Sequence, residues 1–113
     1  MFGQFDEFAG LMWQVPKGSL VATSPKLQKV FGVTGPVEVD HIYGSVADGT
    51  ARVLLNPPVT HPWEHFSQAG VGGAIGWFQK TLPAPHALAP TDQIWLWKEI
   101  GTLIAFVGDR KSV

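Results

Sequence analysis

His61 is the side chain in this chain best placed to do chemistry. It follows the apolar run Val53-Leu54-Leu55 and the turn Asn56-Pro57-Pro58, and it precedes a periodic segment from Ser67 to Leu82. A His just beyond the carboxyl end of a buried strand sits where open α/β sheets keep their ligands, and its imidazole can take or give a proton near neutral pH. His61-Pro62-Trp63-Glu64-His65 also spells H-x-x-E-H, a zinc motif when both His share a helix face and the Glu acts as base. Pro62 permits a helix only with His61 outside its first turn, which spoils that geometry, and Glu99 and His86 are poorly placed as a third ligand. No metal and no cofactor are therefore expected. His41 with Tyr43 and Asp48 could line a small-molecule pocket, with Trp63 and His65 as further binding candidates, although a lone His beside a turn is ordinarily solvated.

The elements that must position these groups follow from caps and periodicity. Ser67 is a good N-cap, and Val71, Ile75, Phe78 and Leu82 recur at spacings of four, three and four, so a helix is predicted over Ser67 to Leu82 with that face on a sheet. Val53 to Leu55 reads as a strand covered on both sides. Ser24-Pro25 starts a helix that ends at Phe31, with Gly32 as its stop. Ala9 to Gln14 can make one helical turn before Val15-Pro16, and Lys17-Gly18-Ser19 is read as loop. Val37 and Val39 could lie in an edge strand, and Asp48-Gly49 marks a turn. Gly70, Gly72, Gly73 and Gly76 each cost about 1 kcal/mol inside a helix, so something should approach that backbone closely. Residues 83–91, with Pro83, Pro85 and Pro90, read as an extended linker.

A last helix is predicted over Asp92 to Val107, capped by Thr91. Ile94, Trp95, Leu96, Trp97, Ile100, Leu103, Ile104, Ala105, Phe106 and Val107 cover nearly its whole circumference. Such a helix belongs against another subunit or on a membrane. Trp95, Trp97, Ile100, Leu103, Ile104 and Phe106 are its candidate interface residues. The apolar run is too short to span a bilayer, and Asp109-Arg110-Lys111 ends it.

Composition agrees with a globular domain that has little polar coat. Of 113 residues, 45% are hydrophobic and only 15% charged, and five Trp and seven Phe must be placed. That excess predicts an exposed apolar patch buried in an oligomer, a partner or a bilayer. A net charge of −1 without a basic cluster argues against nucleic acid. The absence of Cys excludes disulfides, thiolate metal sites and a Cys nucleophile. No basic segment precedes an apolar one at the start, so a cytoplasmic location without a signal peptide is expected.

Gly3-Gln4-Phe5-Asp6-Glu7-Phe8 resembles the G-x-x-D segment of α/β-hydrolases, in which the Asp is the triad acid. Arg52-Val53-Leu54-Leu55-Asn56-Pro57-Pro58-Val59-Thr60-His61 is similar to their last core strand and triad His, and Ser67 to Leu82 to their closing helix. The tail from Asp92 resembles the start of a membrane segment that some bacterial hydrolase-like proteins carry. The order acid then base fits that family. The resemblance implies that Asp6 orients His61 and raises its pKa; the plainer reading is that Asp6 caps a turn and His61 caps the helix after Pro62. It also implies a fold class: α/β, with a small, mostly parallel sheet of two to three strands (Met1 to Phe5, Val37 to Tyr43, Arg52 to Leu55) and flanking helices.

One requirement of that family is unmet. No G-x-S-x-G nucleophile elbow is present, and none of Ser19, Ser24, Ser45, Ser67 or Ser112 sits in one. The implied organisation is a hydrolase-like C-terminal fragment over 1–82, the linker over 83–91 and a Trp-rich helix over 92–108. Two functions follow from it. One is a non-catalytic binding or assembly module, a homodimer or higher homo-oligomer, with membrane association possible through the last helix. The other is an esterase-like hydrolase using Asp6 and His61 with a nucleophile from water, a metal or a partner chain.

Overall fold

The computed structural model describes residues 1–83 and 85–110. Ala84 of the linker and the Lys111 that was to close the apolar run lie outside the described residues. The elements in chain order are α1 (Ala9–Trp13), a 3₁₀ segment Gly18–Thr23, α2 (Pro25–Phe31), β1 (Ile42–Tyr43), β2 (Arg52–Val53), a 3₁₀ turn Pro62–Glu64, α3 (Gln68–Thr81) and α4 (Trp95–Arg110).

The expected mostly parallel α/β sheet is not what forms. Nearly half of the described residues are helical, and the sheet has two strands paired antiparallel, Ile42 opposite Val53 and Tyr43 opposite Arg52. Val39 adds only an isolated parallel bridge to Leu54. The segment from Met1 to Phe5 runs beside residues 55–59 without becoming a strand. Phe2, Gln4 and Phe5 donate their N–H groups to the carbonyls of Leu55, Pro57 and Val59. A parallel ladder needs return donors, and the first of them would be Pro57, which has no N–H. The Asn56 side chain substitutes, donating from Nδ2 to the Phe2 carbonyl at 2.6 Å and to Gly18 at 3.2 Å. Pro57 thus helps convert a would-be strand pair into a strip whose backbone bonds to residues 55–59 all run one way.

The helices follow their caps. The Ser24 hydroxyl accepts from Leu27 N at the start of α2, and Gly32 ends it in the left-handed region at φ 69°. Ser67 accepts from Gly70 N at the start of α3. Lys17-Gly18-Ser19, expected as loop, instead leads into the 3₁₀ segment. The last helix begins three residues later than predicted, because Gln93 Nε2 bonds to the Pro90 and Gln68 carbonyls and its Oε1 accepts from Trp95 Nε1, holding residues 91–93 out of helix.

The core is small and lies in the first half of the chain: Phe2, Ala9, Val15, Val21, Leu27, Val37 and Leu54, with Trp13, Phe31 and Tyr43 partly buried around it. The predicted α3 face is not covered by the sheet, since Phe78 and Leu82 are both more than half exposed. In its place an open cavity of about 410 Å³ lies between Val30 and Phe31, β2, and Ala74, Trp77 and Phe78 of α3. α4 buries none of its residues. The radius of gyration is 17.8 Å and the extents are 61 × 40 × 17 Å, against about 13 Å expected for a closed domain of this length.

Candidate functional site: an Asp-His pair between two loops

Asp6 lies in the turn between the one-sided strip and α1. Its N–H donates to the Gly3 carbonyl at 3.2 Å, and its Oδ1 accepts from Phe8 N at 2.8 Å, which fixes the rotamer. The side chain is fully buried. The second oxygen, Oδ2, lies 2.9 Å from Nδ1 of His61. An ionised carboxylate can only accept, so Nδ1 carries the ring proton and Nε2 is left as the acceptor. Among the described residues Nε2 has no hydrogen-bond partner.

His61 comes to this point from the other loop. Its carbonyl starts the 3₁₀ turn Pro62–Glu64 by accepting from Glu64 N at 3.2 Å, and Phe8 holds the ring edge-on at 5.2 Å. With 44% of its side chain exposed, the ring is reachable from solvent while its acid is not. The hydrogen bond to Asp6 holds the His61 pKa above its ordinary 6.5, helped by the charges of Asp6, Glu64 and Glu7 and opposed by partial burial. Of the two plainer readings, Asp6 does cap the turn at Phe8, whereas His61 precedes the 3₁₀ turn without a side-chain capping bond.

Glu64 joins them. Its Oε1 accepts the Gly3 N–H, 61 residues away. One ligand-type atom from each of Asp6, His61 and Glu64 lies within 4.8 Å of the others, close enough to share a cation. Each residue, however, is already engaged: Asp6 by His61 and Phe8, Glu64 by Gly3. His65 is not in this cluster, so the zinc pattern read from the sequence does not form; His61 and His65 flank the short turn rather than sharing a helix face. In the sequence, Glu64 stood out only through that motif.

The other candidates lie apart. His41 packs edge-on against Tyr43 at 4.7 Å, with Nδ1 4.0 Å from Glu38, and the Tyr43 hydroxyl accepts from Glu38 N. No hydrogen bond, ion pair or ring contact joins them to Trp63 or His65. Trp63 is exposed, and His65 lines a separate cavity with Val71, Ile75 and Phe78. On α4, Trp95 touches Phe66 and Gln93, while Trp97, Ile100, Leu103, Ile104 and Phe106 meet solvent. No helix among the described residues is long and apolar enough to cross a membrane. Compared with known proteins, the chain matches no family model, no curated protein and no solved structure.

Proposed function

We propose that this chain is an assembly module that carries the acid and the base of a hydrolase-type centre, is silent alone, and works when another polypeptide segment supplies the nucleophile. The observation that carries the reading is the 2.9 Å contact between the buried Asp6 carboxylate and His61 Nδ1. That is the orientation in which a carboxylate fixes the tautomer of a general base and leaves Nε2 to take a proton from a hydroxyl or a water. The resemblance to α/β-hydrolases enters on these two residues and their order alone, not on the sheet.

The assembly half of the reading is supported by the exposed apolar surface. Phe78, Leu82, Trp97, Leu103, Ile104 and Phe106 are all more than half exposed, more than a thin polar coat keeps in solution. A homodimer would cover part of it. None of the five serines lies in a nucleophile elbow, so a second copy brings no serine of that kind to the pair. On this reading the hydroxyl that Nε2 would activate comes from another polypeptide segment.

The test is a panel of activated acetyl and butyryl esters, with sedimentation to measure mass. The purified chain should show no turnover and no serine labelling by a fluorophosphonate, and should sediment as an oligomer whose mass His61→Ala leaves unchanged. Turnover that His61→Ala abolishes would replace this reading with a self-sufficient enzyme. A stable monomer would remove the assembly half.

A further inference from the structure

The geometry points to Glu64 as the positioning residue of the site: its carboxylate clamps the loop bearing Asp6 to the loop bearing His61. The clamp closes on Gly3, three residues before the acid. Gly3 N–H donates to Glu64 Oε1, and the Gly3 carbonyl accepts from Asp6 N, so the turn that aims Asp6 is anchored at its first residue. Only a glycine can be there. A Cβ on residue 3 would stand 2.2 Å from the Val59 carbonyl oxygen, inside any real contact.

Glu64 is itself fixed from the other side. A Cβ on the buried Gly70 of α3 would lie 2.2 Å from the Glu64 carbonyl oxygen, so the start of α3 is seated on that residue's backbone. Gly70 N is in turn bound to the Ser67 hydroxyl. The α3 cap, the seat of Glu64, the Gly3 anchor and the Asp6-His61 contact therefore form one continuous set of hydrogen bonds and close approaches. A carboxylate accepting a backbone N–H is among the stronger protein hydrogen bonds. Nothing local dictates it, because the partners are 61 residues apart. The importance of this clamp for catalysis rests on the function proposed above; the clamp itself does not.

The experiment is NMR on the intact chain, following the Gly3 amide and the His61 ring through a pH titration in wild type, Glu64→Gln and Glu64→Ala. Glu64→Ala should speed exchange of the Gly3 amide roughly ten- to a hundredfold, the factor expected for one lost hydrogen bond to a charged acceptor. It should also move the His61 pKa down toward its ordinary value. Glu64→Gln keeps an acceptor oxygen, so the Gly3 amide should stay protected while its shift moves upfield and the His61 pKa falls less. This second variant decides the question if Glu64→Ala does not fold. An unchanged Gly3 amide in both variants overturns the clamp. So does saturable Zn²⁺ or Mn²⁺ binding that shifts Asp6, His61 and Glu64 together, since Glu64 would then be a metal ligand. All of these readouts are taken without substrate or partner, so they are independent of whether the proposed hydrolytic function survives.

Discussion

The first and last thirds of this chain are built from similar amounts of apolar side chain, but only the first gathers part of it into a core, even with Phe5 and Leu11 left exposed. Phe2, Val15, Val21 and Leu27 are almost wholly removed from water, whereas Trp97, Leu103, Ile104 and Phe106 are 62–73% exposed. The difference lies in what the backbone offers each group. Near the start, a strip, two short helices and a 3₁₀ segment converge on Leu54 and Val37 from several directions. α4 is a single regular helix with no second layer against it, so its side chains have nowhere to be buried within the described residues. The Asp6-His61 pair belongs to the packed region, and that is why its geometry is determined.

Substitutions at matched apolar positions give the largest effect and the sharpest test of this contrast. Leu54→Ala should destabilise the fold by about 3 kcal/mol, because it removes a core side chain and leaves a cavity. Leu103→Ala should change the unfolding free energy at low protein concentration by less than about 0.5 kcal/mol and should weaken self-association. Denaturant titration at two protein concentrations reads both. Equal losses at the two positions would mean that α4 is packed on the body and would break the comparison.

Asp6→Ala should come next, at about 2 kcal/mol, since it strands the Phe8 N–H. His61→Ala should cost less, because its ring is partly solvated. A reversed order in the same titration would place the stabilising interaction on the ring rather than on the buried acid.

The pH dependence should be smaller still, with a definite sign. Folding raises the His61 pKa, so the folded state binds this proton more tightly than the unfolded chain does. The stabilisation is fully present below the unfolded value of 6.5 and is lost as pH rises through the raised value. Stability followed across that window should fall on the alkaline side in wild type and stay flat in Asp6→Asn. The proposed general-base action of Nε2 would have the opposite slope, appearing only as the ring loses its proton.

Trp13→Phe should have the smallest effect. Among the described residues the buried Trp13 Nε1 has no hydrogen-bond partner, so deleting that donor offsets the lost ring contact with Phe2 at 6.3 Å. The net change should be within about 0.5 kcal/mol by thermal melt. A loss of several times that would show that ring packing outweighs the orphaned donor.

Local chemistry was the legible part of this molecule. Ser24, Pro25 and Gly32 mark α2, and Ser67 marks the start of α3, because capping depends on neighbours three or four residues away. The cost of glycines inside α3 also points to close approach, found at Gly70 against Glu64 and at Gly73, where a Cβ would stand 3.1 Å from Leu55 Cδ1, but not at Gly76, where a Cβ would meet nothing within 4 Å. What escaped were interactions set by tertiary pairing. The sheet departs from the expectation because the strand-like run before Asn56 gives no hint that Pro57 stands at the return-donor position. α4 starts later than its cap signal implies because Gln93 bonds to Gln68, 25 residues away. Asp6 and His61 could be paired only through a family resemblance, and the bond from Gly3 to Glu64 left no trace at all in the spacing.

The proline at position 57 has one more consequence. A strip attached by half of the usual ladder is held less firmly than a paired strand, and this one carries Phe2 and leads directly into the turn that bears Asp6. Its departure would open the hydrophobic interior and deprive the imidazole of its counter-charge in a single event. The imidazole's counter-charge and part of the hydrophobic interior therefore depend on the same short stretch of chain.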